Sequence, residues 1–166
     1  MILVTHAVVG GALGGALNNP AAAFIAGFVS HFLLDAIPHW DYSLASGRKD
    51  PGSNHLSDIV INGEFVRDLF KFGLDGVLGL LLPYLFFNSG GGGLNWAVLF
   101  GAVGAMFPDF LQFVYFKLRL KPLAILQGFH NWIHAKSTLK DRPVLGILFQ
   151  VALVLLVWSL GKFLIQ

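Results

Sequence analysis

The chain has 166 residues, a mean hydropathy of +0.70 and only 12% charged residues, against about 25% in a soluble domain. So much apolar surface excludes an ordinary soluble globule and calls for a bilayer as second solvent. The formal charge of +2 is too small to argue for nucleic-acid binding, and the absence of cysteine excludes disulfides and thiolate metal sites.

Taken in chain order, five apolar stretches emerge. The first, about 2–17, is glycine-rich; no Lys or Arg precedes it and His6 interrupts it, so a retained helix is expected rather than a cleaved leader. Asn18-Asn19-Pro20 predicts a tight turn. The second stretch, about 21–37, stops at Pro38, and a polar loop follows to about 64. The third covers about 65–87 and the fourth about 94–116, with a turn over 88–93. A break at 117–122 leads to a short segment, 123–135, expected to be re-entrant or interfacial. The fifth stretch, 144–165, carries no charge before Lys162. The expectation is one all-α integral membrane domain over 1–166, a polytopic bundle of about five transmembrane helices plus the short one. A tandem repeat of helical hairpins, about 1–41 and 67–116, is also expected. Ala23-Phe24-Ile25-Ala26-Gly27 through Asp35 resembles Ala97-Val98-Leu99-Phe100-Gly101 through Asp109, and His6/Gly10 resembles Asp75/Gly79.

Counting sides from an N-terminus placed inside puts Arg48, Lys49, Arg67, Lys71, Lys117, Arg119, Lys121, Lys136, Lys140 and Arg142 on or near the inner face. Only Lys162 falls outside, so the inner face is expected to be cytoplasmic and the C-terminus outside, in an inner (plasma) membrane.

Ionisable groups within membrane helices cost roughly 2.5–3.5 kcal/mol each, so they face partners or water. His6, His31, Asp35, Asp75 and Asp109 sit in apolar surroundings in the inner halves of their helices, with His39, Asp41, His130 and His134 where the chain leaves the bilayer. His31 and Asp35 are four apart and share a helix face, as do His130 and His134. Imidazole with carboxylate is a ligand set for zinc, or for manganese or iron. The expected metal ligands are His6, His31, Asp35, His39, Asp41, His130 and His134, with Asp75 and Asp109 as second-metal ligands or general base. Nine candidates exceed what one catalytic metal takes from protein, so one or two ions are expected. Other readings stay open: Asp75 neutralised by Lys71, Asp109 capping a break after Pro108, His6 as a packing residue. Arg119, Lys136 and Arg142 are candidates for a substrate phosphate, or members of an ordinary cytoplasmic charge belt. Gly10, Gly14, Gly27 and Gly79 sit one or two turns from the ionisable groups and predict close packing, with the glycine-rich first helix a candidate oligomer face.

Thr5-His6, Ser30-His31-x-x-Leu34-Asp35-x-x-Pro38-His39-x-Asp41, Pro108-Asp109 and the His130/His134 pair resemble the motifs of the membrane-bound metal-dependent hydrolases, and more distantly zinc-dependent phospholipase C. The pattern departs from that family after Asp109, where Phe110 and Leu111 follow, and at His130-Asn131-Trp132-Ile133-His134. The resemblance implies a divalent-metal hydrolase of phosphoesters with a membrane lipid as substrate. The alternatives are a divalent-cation or proton transporter using the same residues, and a scaffold in which the metal only ties helices together.

Overall fold

The computed structural model describes residues 1–49, 56–88, 93–135, 139 and 141–164. It is all-α: α1 Leu3–Leu17, α2 Pro20–Asp35, α3 Gly63–Phe87, α4 Trp96–Leu118, α5 Lys121–Ile133 and α6 Pro143–Leu164.

Asparagines punctuate the helices. Asn18 closes α1 in the left-handed region (φ 47°), its N–H donating to the Gly14 carbonyl. Asn19 caps α2 by accepting from the Ala22 N–H, and Pro20 opens that helix, where its missing N–H costs nothing. Asn62 caps α3 through the Phe65 N–H, and Asn95 caps α4 through the N–H groups of Ala97 and Val98.

Glycine sets the packing of α1, α2 and α4. A Cβ on Gly10 or on Gly27 would overlap the Gly101 carbonyl oxygen, one on Gly14 the Ala97 carbonyl oxygen, and one on Gly104 the Phe24 carbonyl oxygen. The three backbones therefore touch, as small residues allow in membrane bundles. Gly10, Gly11 and Gly14 of the glycine-rich first helix are buried against α4 and Pro83 of the same chain. The repeat-related glycines Gly27 and Gly101 meet at this contact.

Helices α3 and α6 flank this core and expose long apolar surfaces, as lipid-facing helices do. Of the five expected spans, three helices are long and apolar enough to cross a membrane: α3, α4 and α6. The other two, α1 and α2, are apolar but have 15 and 16 residues, rising about 22–24 Å against a hydrocarbon core of about 30 Å. The Asn18–Pro20 turn cuts one end of each. Helix α2 stops at Asp35, ahead of the break at Pro38.

The polar loop contains an antiparallel hairpin, β1 Gly47–Lys49 with β2 Leu56–Ile59, which the sequence reading lacked. Its strands are short and its register irregular, so no alternation marks them. Lys117 binds Asp58 at 2.8 Å and the Ile59 carbonyl, and Arg119 donates to the Ser57 carbonyl, fastening the hairpin to the end of α4. On the other side, buried Asp68 of α3 accepts from the N–H and hydroxyl of Ser46 and from Lys71.

Candidate metal centre

Four elements and one loop deliver ionisable side chains to a single buried spot. α1 supplies His6, the last turn of α2 supplies His31 and Asp35, the chain after Pro38 supplies His39 and Asp41, α4 supplies Asp109, and the end of α5 supplies His130 and His134. His6, His31 and His39 are fully buried, and Asp35 and His130 nearly so.

Asp35 is the hub. Its Oδ1 lies 3.2 Å from His6 Nε2 and 3.7 Å from His39 Nε2. Its Oδ2 lies 3.2 Å from His31 Nε2 and 2.9 Å from His130 Nε2. The two carboxylate oxygens thus face different pairs of imidazoles. Around this hub, His31 Nε2 approaches His130 Nε2 at 3.4 Å and Asp109 at 3.7 Å, while His39 Nε2 is 3.1 Å from Asp41. The N-terminal ammonium sits 2.8 Å from Asp35 and 2.9 Å from Asp41.

Hydrogen-bond accounting shows what the cluster is missing. His31 Nδ1 faces the Ala105 carbonyl at 2.8 Å, and His39 Nδ1 faces the Ile37 carbonyl at 2.7 Å. A carbonyl only accepts, so each Nδ1 carries the proton, and a neutral ring then turns its Nε2 lone pair toward carboxylate oxygens and a neighbouring imidazole. Acceptor against acceptor is stable only with a proton or a metal ion between them. Anchoring one ring nitrogen on a backbone carbonyl while the other points at a shared centre is the usual arrangement of histidine ligands. His6, stacked on His31 at 4.1 Å, has no hydrogen-bond partner for either ring nitrogen among the described residues, although its Nε2 lies 3.2 Å from Asp35. A buried polar atom without a partner is rare enough to need a cause, and a cation at the hub supplies one.

Among the described residues, three overlapping groups have ligand atoms within 4.8 Å of one another: His6/His31/Asp35, His31/Asp109/His130 and Asp35/His39/His134. The last two share no residue, so the donors suffice for two ions. Burial alone would raise the Asp41 carboxyl, but the adjacent His39 ring and the N-terminal ammonium hold it below the usual carboxylate range. Burial pushes the His134 imidazole down, toward the neutral form that ligates metals.

Other expected residues lie elsewhere. Asp75 accepts from the N–H groups of Leu3 and Val4 at 2.7 and 3.0 Å and from the Tyr42 hydroxyl. It caps the free first turn of α1 from a neighbouring helix and belongs to none of the three metal-ligand groups. Lys71, its counter-ion in the alternative reading, pairs with Asp68 instead. Arg119 lies against the Tyr115 and Phe116 rings and holds the hairpin. Arg142 is exposed at the start of α6, and Lys136 falls outside the described residues.

Sequence reasoning missed Gln150, a neutral polar residue in the apolar run of α6. Buried, it accepts from the Ile2 N–H and Thr5 hydroxyl and donates to the Trp40 carbonyl, joining α6 to the start of α1 and to the loop after Pro38, two of the five segments that carry site residues.

Purified protein should contain roughly one or two divalent ions per chain. Elemental analysis should show that His31→Ala and Asp35→Ala each lower this content severalfold, whereas Asp75→Asn leaves it unchanged while lowering thermal stability. Equal metal loss in Asp75→Asn would return that residue to the ligand set.

Comparison with protein-family models, with curated proteins and with solved structures finds no match to the chain, so its functional reading rests on the geometry of this cluster.

Proposed function

We propose that the protein is an integral membrane metal-dependent hydrolase, in keeping with its resemblance to the membrane-bound metal-dependent hydrolases, and that it cleaves a phosphoester of a membrane lipid. The observation that carries this reading is the meeting of four Nε2 atoms, from His6, His31, His39 and His130, around the Asp35 carboxylate. Zinc suits that donor set best, with manganese or iron as the other candidates. A divalent ion held there would polarise a phosphoryl oxygen and acidify water.

The chain's own groups divide the remaining work. Asp35, almost fully buried, is a ligand and bridge. Asp109, whose side chain is 32% exposed, borders the space from which substrate and water arrive and is the candidate general base. A cavity of about 640 Å³ reaches this end of the cluster, touching Asp35, Asp41, Asp109, His130 and His134. Access from outside favours a reactive centre over a closed structural one. Beyond the cluster, α1, α2 and α4 are in backbone contact at Gly10, Gly27 and Gly101, which favours hydrolysis over a transport path to the far side.

In this reading five segments cross the inner membrane, α1 and α2 with local thinning of the bilayer. The N-terminus and the site are cytoplasmic and the C-terminus is outside, because Lys and Arg cluster at the site's end of the helices. Tags on the two termini should be accessible from opposite sides of intact membranes; termini on one side would contradict five spans.

Detergent-solubilised protein should release phosphate or a headgroup from at least one lipid phosphoester, with turnover abolished by chelator and restored by a divalent ion. Asp35→Asn should lower the rate by about a hundredfold or more, since an amide binds a hard cation poorly. Metal-dependent ion flux in liposomes without chelator-sensitive turnover on any lipid would favour the transport reading instead.

A further inference from the structure

The cavity that meets the cluster has two unlike ends. At one end stand the acids and imidazoles. Away from them the walls are mainly apolar: Leu69 and Phe72 from α3, Met106 and Phe113 from α4, Leu56 and Ile59 from the hairpin, with Lys49 of β1 beside Leu56. Leu69 and Phe110 both line this cavity, yet they are also 47% and 56% exposed. Leu69 belongs to α3, which also exposes Val66 and Phe70, and Phe110 belongs to α4, so both stand on apolar surface that a bilayer would cover. The cavity thus opens sideways, toward lipid, and ends on the candidate metal centre.

We infer that the apolar part of this cavity binds one hydrocarbon chain of a phosphate-bearing amphiphile, entering laterally between α3 and α4 with its phosphate against the Asp35/His130 cluster. The inference rests on the hydrolase reading for the role of the phosphate and on the cavity alone for the chain. A volume of about 640 Å³ is ample for one hydrocarbon chain. Charge makes metal and phosphate cooperate: Asp35, Asp41 and Asp109 border the cavity and repel an anion, the Met1 ammonium and Lys49 on the same wall offset them in part, and a cation at the cluster strengthens the docking of a phosphate there. An uncharged amphiphile gains nothing from that cation. The hairpin contributes a wall of the cavity and is held by Lys117 and Arg119, with Asp68 holding Ser46 just ahead of it, which gives these residues a role in shaping the substrate cavity.

The test uses full-length protein in bilayer nanodiscs of a diacyl phosphatidylcholine, with hexadecyl phosphate carrying a photoactivatable diazirine at mid-chain. After illumination, adducts are mapped by mass spectrometry, and metal content is measured on the same samples. Metal-loaded protein should be labelled on Leu56, Leu69, Phe72 and Phe113, and chelation should weaken this labelling. Hexadecanol bearing the same diazirine should label the same residues with or without chelator. Leu69→Trp and Leu56→Trp, which fill the cavity from two different walls, should each cut labelling by about tenfold or more while retaining metal. Val66→Trp, on the outer face, should not. Labelling confined to outward residues such as Val66 and Phe70, or unchanged in both filled variants at full metal content, would overturn the inference. Turnover of water-soluble p-nitrophenyl phosphate by the same preparations separates the two readings. Turnover without cavity labelling overturns the chain site and leaves hydrolysis standing, whereas cavity labelling without turnover on any phosphoester supports the chain site and removes the hydrolase.

Discussion

A carboxylate buried among imidazole nitrogens sets the terms for the rest of this molecule. Asp35 is almost wholly withdrawn from solvent, and an ionised carboxyl in that position is tolerable only when its oxygens are matched by positive charge or donors. Four Nε2 atoms and the N-terminal ammonium surround it. The ammonium donates to Oδ1 and His130 Nε2 lies within hydrogen-bond distance of Oδ2, whereas His31 and His39 spend their Nδ1 protons on backbone carbonyls and turn Nε2 lone pairs toward the carboxylate. A divalent cation would match those facing lone pairs and His6, whose ring nitrogens have no hydrogen-bond partner among the described residues.

Much of the architecture exists to bring these groups within reach. His31 touches the Ala105 carbonyl of α4 only because Gly27 and Gly101, one turn away, let the two backbones meet. His6 arrives on a helix whose first turn is fixed by Asp75 from α3 and by Gln150 from α6. Each holds a backbone N–H that a helix start leaves without an intrahelical partner. His39 and Asp41 follow the α2 terminus so closely that loop and helix share one centre. Meanwhile α4 continues nine residues past Asp109, to Leu118, about 13 Å at 1.5 Å per residue, and carries the wall and the hairpin anchors of the adjoining cavity.

Several parts of this were legible in the sequence, for physical reasons. Asn18-Asn19-Pro20 reads as a helix stop, a cap and a helix start because each residue is suited to one of those conformations. The four-residue steps His31/Asp35 and His130/His134 read as shared faces because a helix repeats near that interval. Asp75 misled because an acid in apolar surroundings looks alike whether it holds a metal or two backbone N–H groups; only the approach of α1 distinguishes them. Gln150 left no signal, since one neutral amide barely alters the hydropathy of a long apolar run. The cavity was equally hidden, because Leu69, Phe72 and Phe113 have the composition of residues that simply face lipid. The lengths of α1 and α2 were set by the turn between the two apolar stretches and by the stop at Asp35, which falls inside the second of them.

The central claim is that the Asp35 cluster is a metal centre with an accessible coordination position. A crystal structure of the metal-loaded protein, with anomalous diffraction recorded at the edge of the bound metal, tests it most directly. The account predicts an anomalous peak about 2.0–2.2 Å from the Nε2 atoms of His31 and His130 and from an Asp35 oxygen, with at least one position turned toward the cavity and not filled by protein. No peak at the cluster in protein that carries metal, or a shell closed by protein ligands alone, would contradict it.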